Sequence, residues 1–267
     1  MRSPVFHAVI PARYAASRLP GKPLADLGGQ PMINWVAAAA AASGAASVTI
    51  ATDDERIATA ARSAGWDARL TRPEHPSGSD RACEVADALG LADDDIVVNV
   101  QGDEPLIAPR VVAQVAELVA RDVAPVASLA EPITTASELL DSAAVKVVVR
   151  ADGRALYFSR APIPFAREGG ASAATADTPP LGLRHVGLYG YRCAALRQFV
   201  RMPPSRLERL EGLEQLRLLE NGYDILIAPA VEPSPGGVDT PADLDRVRTE
   251  IEARALRPHD AQRVAGR

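Results

Sequence analysis

Short apolar runs alternate with amphipathic segments through the first half of the chain. The runs predict strands at 5–10, 48–51, 68–70 and 96–100, and the segments between and after them predict helices at 32–43, 54–64, 80–89 and 109–120. Strands that alternate with helices are typical of parallel β-α-β units. Because these strands are apolar at successive positions, we expect helices on both faces of the sheet. The pattern predicts an α/β fold with a Rossmann-like, mostly parallel sheet flanked by helices.

The second half of the chain does not continue the regular alternation of strands and helices. Two apolar runs at 145–150 and 155–159 flank Asp152 and Gly153, a pair that favours a type I′ hairpin, so an inserted antiparallel element is expected. The segment 167–180 is rich in small residues and proline and predicts a mobile loop. The pattern then predicts a strand at 184–191, a helix at 206–221, a strand at 225–228 and a helix at 241–255.

Length and composition narrow the class of protein. The chain has 267 residues, 47% of them hydrophobic, which suits either one large α/β domain or one such domain that carries a sub-domain. The longest apolar stretch, 35–42, is too short to cross a bilayer, and the N-terminus lacks a secretory signal, so we expect a cytoplasmic protein without a membrane partner. A net charge of −5 and 4% aromatic residues argue against nucleic-acid binding. Cys83 and Cys193 have no metal-binding spacing and are expected to be buried thiols.

A cationic loop follows the first predicted strand. Between residues 11 and 23 the chain has Arg13, Arg18 and Lys22 and no carboxylate, although the whole protein is acidic. The loop lies at the carboxyl end of a strand, where open α/β sheets bind ligands, and its cations could hold a polyphosphate. The alternative is a solvated basic loop. Neither the P-loop spacing nor the dinucleotide glycine fingerprint is present, which weakens kinase and dehydrogenase interpretations.

Two aspartates are candidate metal ligands. Asp103 comes just after the predicted strand 96–100, where a carboxylate faces the ligand cleft. Asp239 precedes a predicted helix, so it is either an N-cap, with Thr240 as the rival cap, or a ligand. Magnesium in nucleotide sites is commonly held by one or two carboxylates together with phosphates and water, so the two aspartates would need to meet across the cleft. Glu104 is less favoured because Pro105 turns the chain.

A third set of polar residues surrounds the start of the predicted helix 80–89. Ser77 or Ser79 could cap this helix. Alternatively, Arg72, a serine hydroxyl and Gln101 could donate hydrogen bonds to a base edge that bears a carbonyl, which suits a pyrimidine.

Several motifs, in this order and spacing, resemble the 3-deoxy-D-manno-octulosonate cytidylyltransferase (CMP-Kdo synthetase) family. They are IPARYAASRLPGKP at 10–23, ATD at 51–53, SGSDR at 77–81, VNVQGDEP at 98–105, ALYFSR at 155–160, LRHVGLYGY at 183–191, LEQLR at 213–217 and GVDTPADL at 237–244. The resemblance spans residues 5–252. It implies a magnesium-dependent transfer of CMP from CTP to the anomeric hydroxyl of Kdo, an acidic sugar of lipopolysaccharide, with release of pyrophosphate.

The resemblance also implies roles for individual residues. The nucleotide-binding set is Ala12, Arg13, Arg18, Lys22, Arg72, Ser77, Gln101 and Asp103. Within it, Lys22, Asp103 and Arg18 are the implied catalytic residues. The implied Mg²⁺ ligands are Asp103 and Asp239. The implied sugar-binding residues are Arg160, His185, Tyr189, Glu214 and Gln215.

The expected domain organisation combines the pattern of elements with what the same resemblance implies about sugar binding and dimer formation. We expect one nucleotidyltransferase domain over 1–267, with a nucleotide-binding core at 1–125 and 223–256, an insert at 126–222 for sugar binding and homodimer formation, and a frayed tail at 257–267. A cytidylyltransferase for another keto-acid sugar, such as sialic acid, is the nearest alternative. A nucleotide-binding regulatory module is the alternative from another class, although it would be expected to lack one of the metal carboxylates or Lys22.

Overall fold

The computed structural model describes residues 3–15, 19–165, 167 and 180–254. Arg18, nearly all of the predicted loop at 167–180 and the tail at 257–267 lie outside the described residues. The strands are β1 His7–Ala12, β2 Asp26–Leu27, β3 Gln30–Pro31, β4 Ser47–Thr52, β5 Asp67–Leu70, β6 Ile96–Asn99, β7 Val126–Ile133, β8 Lys146–Val149, β9 Ala155–Ser159, β10 Gly182–Arg192 and β11 Ile225–Pro229. The helices are α1 Met32–Ala42, α2 Glu55–Ser63, α3 Gly78–Ala88, α4 Pro109–Ala120, α5 Ala136–Leu140, α6 Cys193–Arg201, α7 Arg206–Glu211, α8 Leu216–Glu220 and α9 Pro241–Arg254.

One mixed sheet organises the described part of the chain. Its strands run in the order β11-β7-β10-β6-β1-β4-β5, and β8 with β9 extends from β10. The neighbours β6-β1, β1-β4, β4-β5 and β11-β7 are parallel, whereas β10 is antiparallel to both β6 and β7. The predicted α/β class with a mostly parallel sheet is therefore confirmed.

Helices cover both faces of this sheet, as the apolar strands predicted. In β1, Ala8 and Ile10 pack into the cluster that contains α1, α2 and α4, while Val9 between them packs against α3 on the other face. A third, smaller cluster joins Trp35 of α1 to Val247 of α9. This contact packs α9 against α1 and so fixes the position of the preceding segment, which carries Asp239.

The predicted helix at 206–221 is wrong in one respect. Two short helices, α7 and α8, replace it, because Gly212 adopts a left-handed φ of 64° and ends the first of them. The break leaves Glu214 and Gln215 in the turn between the helices. Strand β7 and helices α5 and α6 were not predicted at all.

The predicted hairpin between β8 and β9 is present, but its turn is not type I′. That turn type needs a positive φ at both central residues, and only Gly153 of the pair has one, at 86°. The Gly153 amide donates to the Arg150 carbonyl at 2.9 Å, and the Arg150 amide donates to the Arg154 carbonyl at 2.7 Å. Strand β9 has one more residue than β8 in this region, and the pairing register shifts between Val148 and Val149.

The segment 126–222, predicted as an insert, is built into the main sheet. It supplies β7 and β10, and β10 pairs directly with β6 of the predicted nucleotide-binding core. The two parts of the predicted division consequently share one sheet.

Candidate active site

The loops after β1 and β6 meet at one edge of the sheet. These strands are parallel neighbours, so their carboxyl ends lie side by side. The contact between the loops is tight at Gly102, where an added Cβ would lie 2.5 Å from the carbonyl oxygen of Pro11. A glycine at this position therefore allows the loop of Asp103 to approach the loop that leads to Lys22.

Lys22 joins three segments at this edge. Its Nζ lies 2.6 Å from Oδ2 of Asp103, 3.1 Å from Oδ1 of Asp239 and 3.0 Å from the carbonyl oxygen of Val238. The backbone supports the same junction, because the amide of Val238 donates to the carbonyl of Asp103 at 2.8 Å. The structure thus brings together the two aspartates and the lysine on which the sequence analysis depended.

The charges at this junction stabilise one another. Burial alone would lower the pKa of Lys22, but the Asp103 carboxylate and then Asp239 outweigh it, so the pKa lies above its ordinary value. Lys22 therefore stays an ammonium ion, with 14% of its side chain exposed. A cation held between two carboxylates also reduces their mutual repulsion.

Thr240, not Asp239, caps α9. The hydroxyl of Thr240 accepts from the amide of Asp243 at 3.2 Å, and the carboxylate of Asp243 accepts from the amide of Thr240 at 2.9 Å, which is a reciprocal capping box. The alternative that Asp239 is only an N-cap is therefore wrong, and its carboxylate lies beside Lys22 instead.

The two aspartates fit a magnesium ion. The carboxylates of Asp103 and Asp239 both contact the ammonium group of Lys22, so the space between the two carboxylates can accommodate a cation. No cluster of three or more His, Cys, Asp or Glu side chains is arranged for a metal within the described ranges. A site of this kind suits Mg²⁺, which takes one or two carboxylates and completes its shell with phosphate oxygens and water.

A cavity of about 240 Å³ opens next to this junction. Its walls include Ala12, Arg13, Lys22, Gln101 and Asp103, all predicted to bind the nucleotide. The Arg13 guanidinium donates to the carbonyl oxygen of His75, which ties the β1 loop to the segment before α3. Burial, followed by the nearby Arg81 charge, lowers the pKa of Arg13.

Two of the predicted base-binding residues lie outside this cavity. Arg72 is 72% exposed and lies against Glu84, 3.6 Å away. Ser77 caps α3 through a capping box with Asp80, which is the structural alternative named for it above. By contrast, Gln101 does line the cavity, and its amide donates to the carbonyl of Gly187 in β10 at 3.2 Å.

Most of the predicted sugar-binding residues cluster on one face of β10. The rings of His185 and Tyr189 lie 5.2 Å apart. The Tyr189 hydroxyl is buried and has no hydrogen-bond partner among the described residues. Glu214 accepts from the hydroxyl of Ser79 at 2.8 Å, and burial raises its pKa, while Gln215 beside it is 5% exposed.

Arg160 lies at the end of β9, and its guanidinium binds backbone oxygens. It donates to the carbonyl of Glu211 at 2.8 Å and to the carbonyl of Ser142 at 2.9 Å. Its side chain is thus held in place by neutral acceptors.

Known proteins share both the sequence and the fold. The cytidylyltransferase family pattern matches residues 7–225. The 3-deoxy-manno-octulosonate cytidylyltransferase of Saccharophagus degradans is 51% identical over 252 residues, which are 93% of this chain and 99% of the relative. That of Halorhodospira halophila is 52% identical over 261 residues, 95% of this chain and 99% of the relative. The chain belongs to the 3-deoxy-manno-octulosonate cytidylyltransferase family.

Solved structures agree with this family assignment. A CMP:2-keto-3-deoxy-manno-octonic acid synthetase complexed with CTP superposes with a TM-score of 0.84 at 43% identity, covering 95% of this chain and 100% of that one. A nucleotidyl transferase from Methanothermobacter thermautotroptrophicus, 15% identical with a TM-score of 0.57, shares the fold. Among the described residues of this cytidylyltransferase, no helix is both long and apolar enough to cross a membrane.

Sequence reasoning missed or undervalued three polar residues of this cytidylyltransferase. Glu104 lines a second cavity of about 310 Å³, where burial, followed by the Asp103 charge, raises its pKa to about 7. The sequence predicts Ser79 as a helix cap or a donor to the base, whereas its hydroxyl donates to Glu214. Ser128 is completely buried in β7. The one available signal for Ser128 was a lone hydroxyl inside an apolar run, which indicates a buried hydrogen bond without naming its partner.

Proposed function

We propose that this cytidylyltransferase transfers CMP from CTP to the anomeric hydroxyl of 3-deoxy-manno-octulosonate (Kdo) and releases pyrophosphate, as a step of lipopolysaccharide biosynthesis. The observation that carries the proposal is the junction of Lys22 with Asp103 and Asp239 beside a cavity at the edge of the sheet. The names of the relatives and the CTP in the similar synthetase support the choice of substrates.

The chain's own residues supply the groups that nucleotidyl transfer requires. The sugar oxygen attacks the α-phosphorus in line, and pyrophosphate leaves on the opposite side. Lys22 lines the cavity with its charge intact and stabilises the negative charge that grows on the departing pyrophosphate. Asp103 and Asp239 would hold Mg²⁺, which supplies charge neutralisation at the phosphate and acidifies a bound hydroxyl. Arg18 is a further proposed contact to the triphosphate.

The cluster on β10 suits an acidic, polyhydroxylated sugar. The buried Tyr189 hydroxyl has no hydrogen-bond partner within the described ranges, and such a group is costly unless a ligand satisfies it. His185, Glu214 and Gln215 offer further polar atoms on the same side of the sheet. Arg160, whose guanidinium donates to the carbonyl oxygens of Glu211 and Ser142, is the cation proposed to bind the carboxylate of the sugar.

Three further parts of the proposal are open to separate tests. We infer a magnesium requirement, a homodimer that uses the 126–222 segment, and a cytoplasmic location. Chelation followed by titration with Mg²⁺ tests the first, and light scattering on the purified protein tests the second. Fractionation of cells that express the protein tests the third.

One assay tests the central reaction. Pyrophosphate release is measured with CTP, Mg²⁺ and Kdo, and then with sialic acid in place of Kdo and with UTP or ATP in place of CTP. We expect turnover with CTP and Kdo that exceeds every other combination. Equal or faster release with sialic acid, or none with Kdo, would overturn the proposed substrate.

A further inference from the structure

A bulge in β10 interrupts its pairing with β7. The pairing of β10 with β7 is regular up to Val186, opposite Leu129, and resumes only at Gly190, opposite Ala127. Between these points, Gly187 directs its carbonyl to Gln101, on the nucleotide side, at 3.2 Å. The carbonyls of Val186 and Leu188 point the other way, toward Ser128.

Ser128 makes three close contacts with a single hydroxyl. Its Oγ lies 3.0 Å from the carbonyl oxygen of Val186, 2.8 Å from that of Leu188 and 2.9 Å from Nε2 of His185. A hydroxyl carries one proton, and carbonyl oxygens can only accept. If the hydroxyl proton pointed to His185, Oγ would face the carbonyl oxygens of Val186 and Leu188 with no proton between them, which is unfavourable. The favourable arrangement directs the proton to the carbonyls and leaves a lone pair of Oγ for an N–H of His185.

This arrangement fixes the tautomer of His185. Nε2 must carry a proton to donate to Ser128, so in the neutral ring Nδ1 is the acceptor. Burial, followed by the charge of Arg184, lowers the pKa of His185 to about 3, which keeps the ring neutral. The ring plane is held by Phe158 at 5.0 Å and Tyr189 at 5.2 Å between centroids. No hydrogen bond to Nδ1 is formed within the part of the chain that the structure describes.

We propose that Ser128 is a positioning residue, which holds His185 as the Nε2–H tautomer so that Nδ1 accepts a hydrogen bond from a hydroxyl of the sugar. The inference rests on the proposed function for the identity of that hydroxyl, but the tautomer itself does not depend on it. The β10 bulge then serves both substrates, because it holds Gln101 on one side and the Ser128–His185 pair on the other.

The first experiment reads the tautomer directly in the free protein. Long-range ¹H–¹⁵N spectra of the protein labelled with ¹⁵N-histidine, assigned with His185→Asn, distinguish a protonated from an unprotonated ring nitrogen. We expect Nε2 protonated and Nδ1 unprotonated at neutral pH. A protonated Nδ1, or a doubly protonated ring, would overturn the proposal whether or not any Ser128 variant folds.

The second experiment tests the consequence for the sugar. Ser128→Ala should raise the KM for Kdo about 5- to 10-fold, the size of one lost neutral hydrogen bond, with little change in the KM for CTP. Ser128→Thr keeps the hydroxyl and should restore the KM. Thr49→Val is the matched control, since it also removes a buried hydroxyl. The hydroxyl of Thr49, in β4, donates to the carboxylate of Asp67 at 2.9 Å. An unchanged KM for Kdo in a folded Ser128→Ala protein contradicts the proposal.

A pair of amide variants tests which ring nitrogen acts. Asparagine places a side-chain carbonyl oxygen near the position of Nδ1, whereas glutamine places its amide near that of Nε2. We expect His185→Asn to keep a KM for Kdo several-fold lower than that of His185→Gln, and the reverse order contradicts the assignment. If the wild-type protein transfers no CMP to Kdo, the proposed function fails while the spectra still decide the tautomer.

Discussion

The ammonium nitrogen of Lys22 lies 2.6 Å from Oδ2 of Asp103, although 81 positions separate the two residues in the chain. Asp239, which follows β11, completes the junction at 3.1 Å. The segment after β1, the loop after β6 and the start of α9 are therefore fixed to one another before any substrate binds. Because the three segments are already joined, only side chains would have to adjust when Mg²⁺ and the triphosphate bind, which keeps the cost of reorganisation small.

Replacement of Lys22 by methionine removes the charge and keeps most of the length of the side chain. We expect kcat for CMP transfer to fall about 100-fold or more, because the departing pyrophosphate loses a cation proposed to stabilise its charge. Asp103→Asn should abolish turnover for the complementary reason that a proposed metal ligand is lost. Both effects are measured as pyrophosphate release, with circular dichroism to confirm the fold.

Arg110→Met is the control for loss of a positive charge. Arg110 is 78% exposed at the start of α4 and lies 3.7 Å from Glu232. Its replacement should change kcat by less than a factor of about 2, as expected for an exposed ion pair. Near-normal turnover by Lys22→Met would remove Lys22 from the proposed reaction.

Asp239 and Asp243 offer a test that separates the site from the helix cap. Asp239→Asn should lower turnover strongly and change the free energy of unfolding little, because Thr240 caps the helix. Asp243→Ala removes the acceptor of the capping box and should cost about 0.5–2 kcal/mol of stability with a much smaller loss of turnover. Urea unfolding and pyrophosphate release on both variants decide the matter. The opposite pattern would return Asp239 to a structural role.

The parts of the fold that local chemistry dictates were predictable from the sequence. Helix α4 begins and ends where the pattern placed it, since Pro109 suits the first turn and the apolar spacing continues to Ala120. Placing Asp103 at the carboxyl edge of a parallel strand also followed from the alternation of strands and helices. Family motifs added the sugar-side residues, which composition and spacing could not have identified.

The remainder depended on contacts between distant segments. The spacing of the residues could not decide whether Asp239 or Thr240 caps α9. The contact of Asp239 with Lys22, which comes from a distant segment, leaves the cap to Thr240. Gly212 looked compatible with a continuous helix, but it adopts a left-handed conformation and divides that helix. The direction of Arg13 toward His75 depends on how the β1 loop packs before α3, which no local pattern records.

The burial of His185 predicts a pH dependence of stability. The pKa in the folded protein is about 3, below the ordinary value of 6.5, so between these values the unfolded chain binds a proton that the folded chain does not. The free energy of unfolding should therefore fall as the pH drops below 6.5, by up to about 1.4 kcal/mol per pH unit from this group. His185→Asn lacks the group and should show a shallower slope.

Urea unfolding of the wild type and of His185→Asn between pH 8 and pH 5 measures this difference. Above pH 7 the histidine is neutral in both states, so the two curves should run parallel there and serve as an internal control. Curves that stay parallel down to pH 5 would contradict a buried, neutral His185 in the folded protein.

The tight approach at Gly102 predicts a large cost for a single methyl group. An alanine Cβ would lie 2.5 Å from the carbonyl oxygen of Pro11, a backbone atom that cannot move without shifting β1. Gly102→Ala should destabilise the protein by about 1–3 kcal/mol and displace the Asp103 loop, with a loss of turnover.

Gly187→Ala is the matched substitution, because nothing lies within 4 Å of its added Cβ and its φ is not left-handed. It should leave the melting temperature unchanged or slightly raised, since alanine restricts the unfolded chain. Equal melting temperatures for the two variants would show that the β1 and β6 loops can separate, and the geometry of the junction would then need another support.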